Sequence, residues 1–447
     1  MSEVWPKERL GKVCQVIPGY AFKSGDWQSD GIPVVKIKNI KGDSTVDLTE
    51  TDCVPESVLT KKLQKFVLKD GDILVAMTGA TAGKVGKVRT DKPILLNQRV
   101  AKIDPVGADH DFIWSVVSSA EYQEKFFYLA DGAAQPNMSG SQIEGVEIPF
   151  PPLPFQRRIA GILSAYDELI ENNQRRIRIL EDMARSLYRE WFVHFRYHGH
   201  ETVPLVDSPL GQIPLGWEVK KLGDIAIVNR AQINAKAAPD ELLYIDIASV
   251  SPGQIDSVTA YAFADAPGRA RRVVQHGDVL WSCVRPNRRS HALVMHPEAN
   301  TIASTGFSVL TAKTVPFTFL YFATTTDDFV SYLTNNASGA AYPAVTATTF
   351  EKAEILVPSS ALLGRFGEAT IALMEQAHTL QRQTANLRRT RDLLLPRLLS
   401  GQIALATDTT PIYDEDAFKC MVEKGAQAWA DVPDSAAWVE TLRGSKE

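Results

Sequence analysis

Between residues 153 and 195, apolar side chains return every four and three positions in alternation. The series is Ile159, Leu163, Tyr166, Ile170, Ile177, Leu180, Ala184, Leu187 and Trp191, with Asn173 as its one polar member. A heptad stripe kept up for more than four heptads predicts one long helix whose narrow apolar face needs a partner helix. At 1.5 Å per residue such a segment is a rod about 60 Å long, more than a compact domain needs. The partner lies in the same chain. Phe366, 207 positions after Ile159, opens a second series of Thr370, Leu373, Ala377, Leu380, Thr384, Leu387, Arg391, Leu394 and Leu398. That segment is free of glycine between Gly367 and Gly401. The two helices are expected to satisfy each other's stripes as an antiparallel, coiled-coil-like pair.

The correspondence extends beyond the helices at a similar offset. Trp5 and Leu10-Gly11 recur as Trp217 and Leu222-Gly223, 212 residues later. The strand-like run 32–37 has a counterpart at 243–247, and Gly71-Asp72 leads into a buried strand as Gly277-Asp278 does. Gly132-Ala133-Ala134-Gln135-Pro136 returns as Gly339-Ala340-Ala341-Tyr342-Pro343, and Ile148-Pro149-Phe150-Pro151 as Ile355-Leu356-Val357-Pro358, just before each long helix. The chain therefore reads as an internal duplication. Helices are expected near 112–129 and 317–333, among short strands cut by Gly and Pro turns, which makes each globular part α+β. The expected layout is a first domain at 1–152, a central spacer helix at 153–198, and a Pro/Gly-rich linker at 199–216. A second domain at 217–358, a C-terminal spacer helix at 359–402 and an acidic tail at 403–447 complete it.

Composition narrows the class. A 45% hydrophobic and 23% charged chain of 447 residues is ordinary for a globular protein of two or three domains. No apolar run approaches the ~18 residues of a membrane span and the start resembles no signal peptide, so the expected compartment is the cytoplasm. Four scattered cysteines without a CxxC pair indicate neither a disulfide framework nor zinc. Residues 403–447 hold nine acids against four bases, which is the whole net charge of −5. The remaining body is balanced and can meet phosphates through local basic patches.

Catalytic motifs are missing. Gly79-Ala80-Thr81-Ala82-Gly83-Lys84 has three residues between its glycines and Val85 after the lysine, so it is no nucleoside-triphosphate loop. His194, His198 and His200 with Glu201 sit at a helix end and read as surface residues, leaving no expected metal site. There is no GxSxG, no HExxH and no Asn-Pro-Pro-aromatic tetrapeptide, so no catalytic residue is assigned. What remains are basic and amide clusters in loops. The first domain offers Lys36, Lys38, Asn39 and Lys41, then Lys84, Lys87 and Arg89, then Asn97, Gln98 and Arg99. The second offers Arg269, Arg271 and Arg272, then Arg285, Asn287, Arg288, Arg289, Ser290 and His291. Arginine reads guanine bidentately, Asn and Gln read adenine, and Lys and Arg neutralise phosphates. These residues are the candidate DNA contacts.

Several short motifs together resemble the specificity subunits of type I restriction-modification enzymes. They are Gly79-Ala-Thr-Ala-Gly-Lys-Val-Gly86, Leu96-Asn-Gln-Arg99, Gly132-Ala-Ala-Gln-Pro-Asn-Met-Ser139, Ile148-Pro-Phe-Pro-Pro-Leu153, Leu187-Tyr-Arg-Glu-Trp-Phe192 and Leu394-Leu-Pro-Arg-Leu-Leu-Ser-Gly401. The resemblance covers residues 1–402 and leaves the tail without a role. It implies two target-recognition domains, each reading one half of a split, asymmetric DNA site, with the helix pair fixing the gap. Half-sites read from one face of the duplex lie about one turn, ~34–36 Å, apart. The resemblance further implies double-stranded DNA, two modification subunits and two restriction subunits as partners. S-adenosylmethionine would belong to the modification subunits and ATP with Mg²⁺ to the restriction subunits, so this chain would bind neither. The competing readings are a coiled-coil scaffold that touches no DNA and a self-sufficient methyltransferase or nuclease.

Overall fold

Both heptad stripes are helices in the computed structural model, Leu153–Tyr188 and Ser360–Leu399. The structure describes residues 5–42, 44–130, 137–234, 239–339, 342–400, 402, 403 and 405. On the first helix Ile159, Leu163, Ile170, Leu180, Leu187 and Trp191 are buried, and so are Phe366, Ala377, Leu380 and Leu398 on the second. Tyr166, Ile177, Leu373, Leu387 and Leu394 are half-buried. The chain forms two units whose border crosses both helices. One holds the chain up to Glu171 and the stretch from Thr384, the other Asn172–Gln383.

In the first unit Ile159 and Leu163 share a core with Leu395 and Leu398, and Asp167 bonds Arg391. In the second, Leu180 packs with Ala377 and Leu380, while the Phe192 and Phe366 rings lie 4.9 Å apart. In each unit rising numbers on one segment meet falling numbers on the other, so the segments are antiparallel.

The first helix stops short of residue 198. Its end widens into a π-helix at Arg189–Val193, and Phe195 takes a left-handed φ of 58°, which helical backbone cannot follow. The widening lets the adjacent Trp191 and Phe192 both enter the core, where Phe192 lies 5.1 Å from the Phe319 ring. Residues 199–216 are more than a linker: Leu205–Ser208 pairs with Gly211–Pro214 as a hairpin that buries Ile213.

The two domains share one strand order. In the first, Cys14–Pro18, Val100–Pro105, Ile73–Ala76 and Val85–Lys87 form one sheet, and Asp52–Val54, Ile32–Val35, Ile94–Leu96 and Val67–Leu68 a second. In the second, Ala226–Val228, Phe307–Ala312, Val279–Ser282 and His291–Leu293 match the first sheet; Thr259–Ala262, Glu241–Ile245, Thr301–Ser304 and Ala270–Val273 match the other. Each second sheet has one parallel pairing, Val34 beside Leu95 and Tyr244 beside Ile302. Mixed sheets flanked by separate helices make an α+β fold, and its repetition is the duplication seen in the sequence.

Period-two alternation explains the layering. Ile73 and Val75 face the helices and Leu74 and Ala76 the other sheet; Val279 and Trp281 are opposed to Leu280 in the same way. Both Gly-Asp turns carry the same bond, Asp72 and Asp278 accepting the backbone N–H of Lys69 and Gln275 at 3.0 and 2.8 Å. The helices expected near 112–129 and 317–333 are each two helices, His110–Val117 with Ala120–Leu129 and Phe317–Ala323 with Asp327–Asn335. They break where Ser119 and Thr324 hydroxyls bond carbonyls of the preceding turn. The 132–136 repeat, Ala340, Ala341, Gly401 and nearly all of the 403–447 tail lie outside the described residues.

Candidate nucleic-acid interface

The candidate contacts of the first domain fall into two groups. Asn39 is buried in the 36–50 loop: its amide nitrogen donates to the Asp47 and Glu50 carbonyls at 2.9 and 3.3 Å, and its oxygen accepts from Lys36 N–H at 2.9 Å. It holds that loop in shape instead of facing outward. Asn97 is likewise buried, its oxygen bonding the Arg99 N–H at 3.4 Å. Lys36 lies 2.9 Å from Asp52 and over the Trp27 ring at 3.4 Å, and the exposed Lys38 reaches the same carboxylate at 3.3 Å. Together the two lysines hold Asp52 below the ordinary carboxylate range, the Lys36 bond being the larger effect.

The glycine-rich turn serves packing first. A Cβ on Gly83, whose φ is +82°, would meet the Phe127 nitrogen at 2.6 Å and the Gln123 carbonyl at 2.7 Å, so the turn lies against helix Ala120–Leu129. Lys87 bonds Asp111 at 2.8 Å, and Arg89 bonds Glu171 at 2.7 Å. His110 and then Lys87 hold Asp111 well below the usual carboxylate range. Lys84, half-buried, forms no ion pair among the described residues, and neither do Gln98 and Arg99, both exposed on the turn between Ile94–Leu96 and Val100–Pro105.

In the second domain the basic run is divided. Arg271 donates to the Ala270 carbonyl at 2.8 Å and lies over the Phe263 ring, and Arg272 is half-buried with its Nε enclosed. Arg269 is exposed. Past strand Val279–Ser282 the chain makes a one-turn 3-10 helix, Pro286–Arg288, bracketed by left-handed residues Arg285 and Arg289 at φ 52° and 55°. Two such residues around one turn make a tight knuckle that presents Asn287 and Arg288 to solvent. Arg289 pairs with Asp327, and Arg285 lies 4.6 Å from the Tyr342 ring centroid. Tyr342, 68% exposed, is a flat aromatic surface beside these arginines that the pattern of basic residues does not point to.

His291 does not belong to this surface. It is buried against Trp281 at 4.8 Å between ring centroids, because it continues a strand paired to the core strand carrying Trp281. Burial, followed by the nearby positive charge of Arg289, pushes its pKa down to about 4.

The side chains left open for a polyanion are thus Lys84, Gln98 and Arg99 in one domain and Arg269, Asn287 and Arg288 in the other. The exposed pairs add to them at small cost: a solvent-exposed ion pair contributes about 0–1 kcal/mol, so a phosphate can replace its carboxylate. No described helix is long and apolar enough to cross a membrane.

Residues 2–182 match the family model described as the type I restriction modification DNA specificity domain. Over 419 residues the chain is 23% identical to the type I restriction enzyme MjaIX specificity subunit of Methanocaldococcus jannaschii, spanning 89% of this chain and 93% of that protein. It is 21% identical over 406 residues to the HindI specificity subunit of Haemophilus influenzae, spanning 76% and 88%. The crystal structure of a type I restriction-modification S subunit from M. genitalium covers 90% of this chain and 97% of its own at a TM-score of 0.51 and 17% identity, a likeness of fold.

Proposed function

From the match of residues 2–182 to the type I restriction modification DNA specificity domain and the likeness along the chain to specificity subunits, we infer that this chain is such a subunit and that its two domains read the two halves of one bipartite, asymmetric DNA site. One observation supports the asymmetry. The domains repeat the same eight-stranded order, yet their open turns are different in kind and place, Gln98 and Arg99 in one and Asn287 and Arg288 in the other. Equal scaffolds with unequal readers suit two unlike half-sites. Gln and Asn match adenine edges and Arg matches guanine, while the surrounding Lys and Arg residues set register on the phosphates.

In this reading the chain supplies address and no chemistry. The helix pair fixes the spacing of the half-sites and docks two modification subunits, which bind S-adenosylmethionine and flip the target adenines out of the stack. Two restriction subunits bring ATP-driven translocation and cleavage.

The test is methylation mapping by single-molecule sequencing, in a host carrying this gene with and without the neighbouring methyltransferase gene. A split N6-methyladenine motif that requires both genes is the expected result. Absence of any motif, with both proteins soluble and associated, would favour the scaffold reading. Methyl transfer by this chain alone would make it an enzyme.

A further inference from the structure

We propose that His276, His296, Glu375 and His378 form a binding site for one divalent transition metal ion of the zinc class. The proposal is independent of the DNA reading. His276 lies on the Gly-Asp turn before strand Val279–Ser282, and His296 follows strand His291–Leu293. Glu375 and His378 stand one turn apart on helix Ser360–Leu399 and share a face. All four belong to one compact unit.

The donor atoms already converge. His296 Nε2 lies 3.0 and 2.7 Å from the two Glu375 oxygens, and His276 Nε2 is 3.7 Å from Oε1. One ligand atom each from His276, His296 and Glu375 fit within 4.8 Å of one another. Two ligands at about 2.0–2.1 Å from a zinc ion stand roughly 3–3.5 Å apart, close to these separations. The His378 ring is 5.5 Å from that of His296, near enough to supply a fourth ligand by a change of rotamer.

Three further observations point the same way. His296 has φ +45°, a left-handed backbone on a non-glycine residue, which persists where surroundings hold it and is concentrated at functional sites. The Phe317 ring packs edge-on against His276 at 5.1 Å and limits its rotation. Glu375 and His296 keep 37% and 51% of their side chains exposed, so an ion has a path in from solvent. Imidazoles with one carboxylate suit zinc, cobalt or nickel and not magnesium or calcium. His276 is the weakest ligand: its Nδ1 accepts the His296 backbone N–H at 3.3 Å, a bond that coordination through Nε2 must release. An ion here would tie a turn and a strand end of the second domain to its helix.

The test uses the full chain, stripped with a chelator and titrated with Zn²⁺ by calorimetry, with Co²⁺ as a spectroscopic probe. One saturable equivalent is expected, and free Zn²⁺ at 100 times its Kd should raise the Tm of this unit by about 5–10 °C. Glu375→Gln and His296→Gln should each weaken binding at least 100-fold and abolish the Co²⁺ d–d band. His276→Gln should cost about 10-fold, and His198→Gln, a surface change elsewhere, nothing. No saturable equivalent in the wild-type chain would overturn the proposal. So would unchanged binding in Glu375→Gln, which alters a half-buried polar group outside the apolar core.

Discussion

Arg391 interrupts the apolar stripe of the second long helix, and its guanidinium lies 2.6 Å from Asp167 of the first. The other Asp167 oxygen accepts the indole N–H of Trp114 at 2.8 Å, so one carboxylate joins both helices to the helix His110–Val117. Asp167 and Arg391 keep only 22% and 18% of their side chains exposed. Asp167→Ala leaves the largely buried guanidinium with Asp392 alone, 2.9 Å away, and the Trp114 indole without its acceptor, and should cost about 1–3 kcal/mol, whereas Asp167→Leu with Arg391→Leu should recover the part of that loss that belongs to the charge pair. Urea unfolding of the single and double variants measures the coupling. A coupling under about 0.5 kcal/mol would mean that the pair adds nothing to the seam.

Arg288→Ala should weaken binding by about 1–3 kcal/mol and relax the preference at one base of one half-site. Gln98→Ala and Arg99→Ala should do the same to the other half-site only. Methylation motifs mapped for the three variants separate the readers. A change in both halves from a single variant would break the assignment of one turn to one half. Arg289→Ala should act more weakly than Arg288→Ala, because Asp327 already engages its guanidinium.

Stability should fall in mild acid because of His291. Its folded pKa of about 4 lies below the ordinary 6.5, so below pH 6.5 the unfolded chain takes up a proton that the folded chain refuses. This contribution is complete above pH 6.5 and is lost as the pH falls toward 4, amounting to about 2–3 kcal/mol. Thermal melting of the wild type and His291→Leu at pH 7.5 and pH 4.5 provides the comparison. The variant should lose distinctly less on acidification, and parallel losses would count against the burial argument.

Seven residues inserted into one long helix alone keep that helix amphipathic but leave one stripe a heptad longer than its partner. The variant should either lose stability or recognise half-sites with altered spacing. The same insertion in both helices should retain stability and change the spacing alone, as read from methylated motifs. Unchanged spacing in the paired insertion would remove the helices as the ruler.

What the sequence made legible depended on period and local spacing. The heptad stripe announces the helices, and the recurrence of Gly71-Asp72 as Gly277-Asp278 announces the duplication, because equal turns need equal residues. The hairpin in 199–216 was hidden by its prolines, although Val206 and Ile213 mark its inward positions. Nothing local in the sequence pairs Lys87 and Arg89, because their partners Asp111 and Glu171 lie 24 and 82 residues away. His291 was misplaced by following arginines on a loop, where its own strand turns it inward onto Trp281. No spacing rule could bring His276 and Glu375 together, since they are joined only when the second domain settles on its helix.

The sharing of each core by both long helices also sets an order of events in time. Leu395 and Leu398 complete the core that holds Leu10, Ile148 and Ile159. At a synthesis rate of ~5–20 residues per second, the ribosome needs about 10–50 s to travel the roughly 240 residues from Ile159 to Leu398. During that interval the finished first domain carries an uncovered apolar face. Nascent chains of this protein should therefore engage chaperones until the last helix emerges.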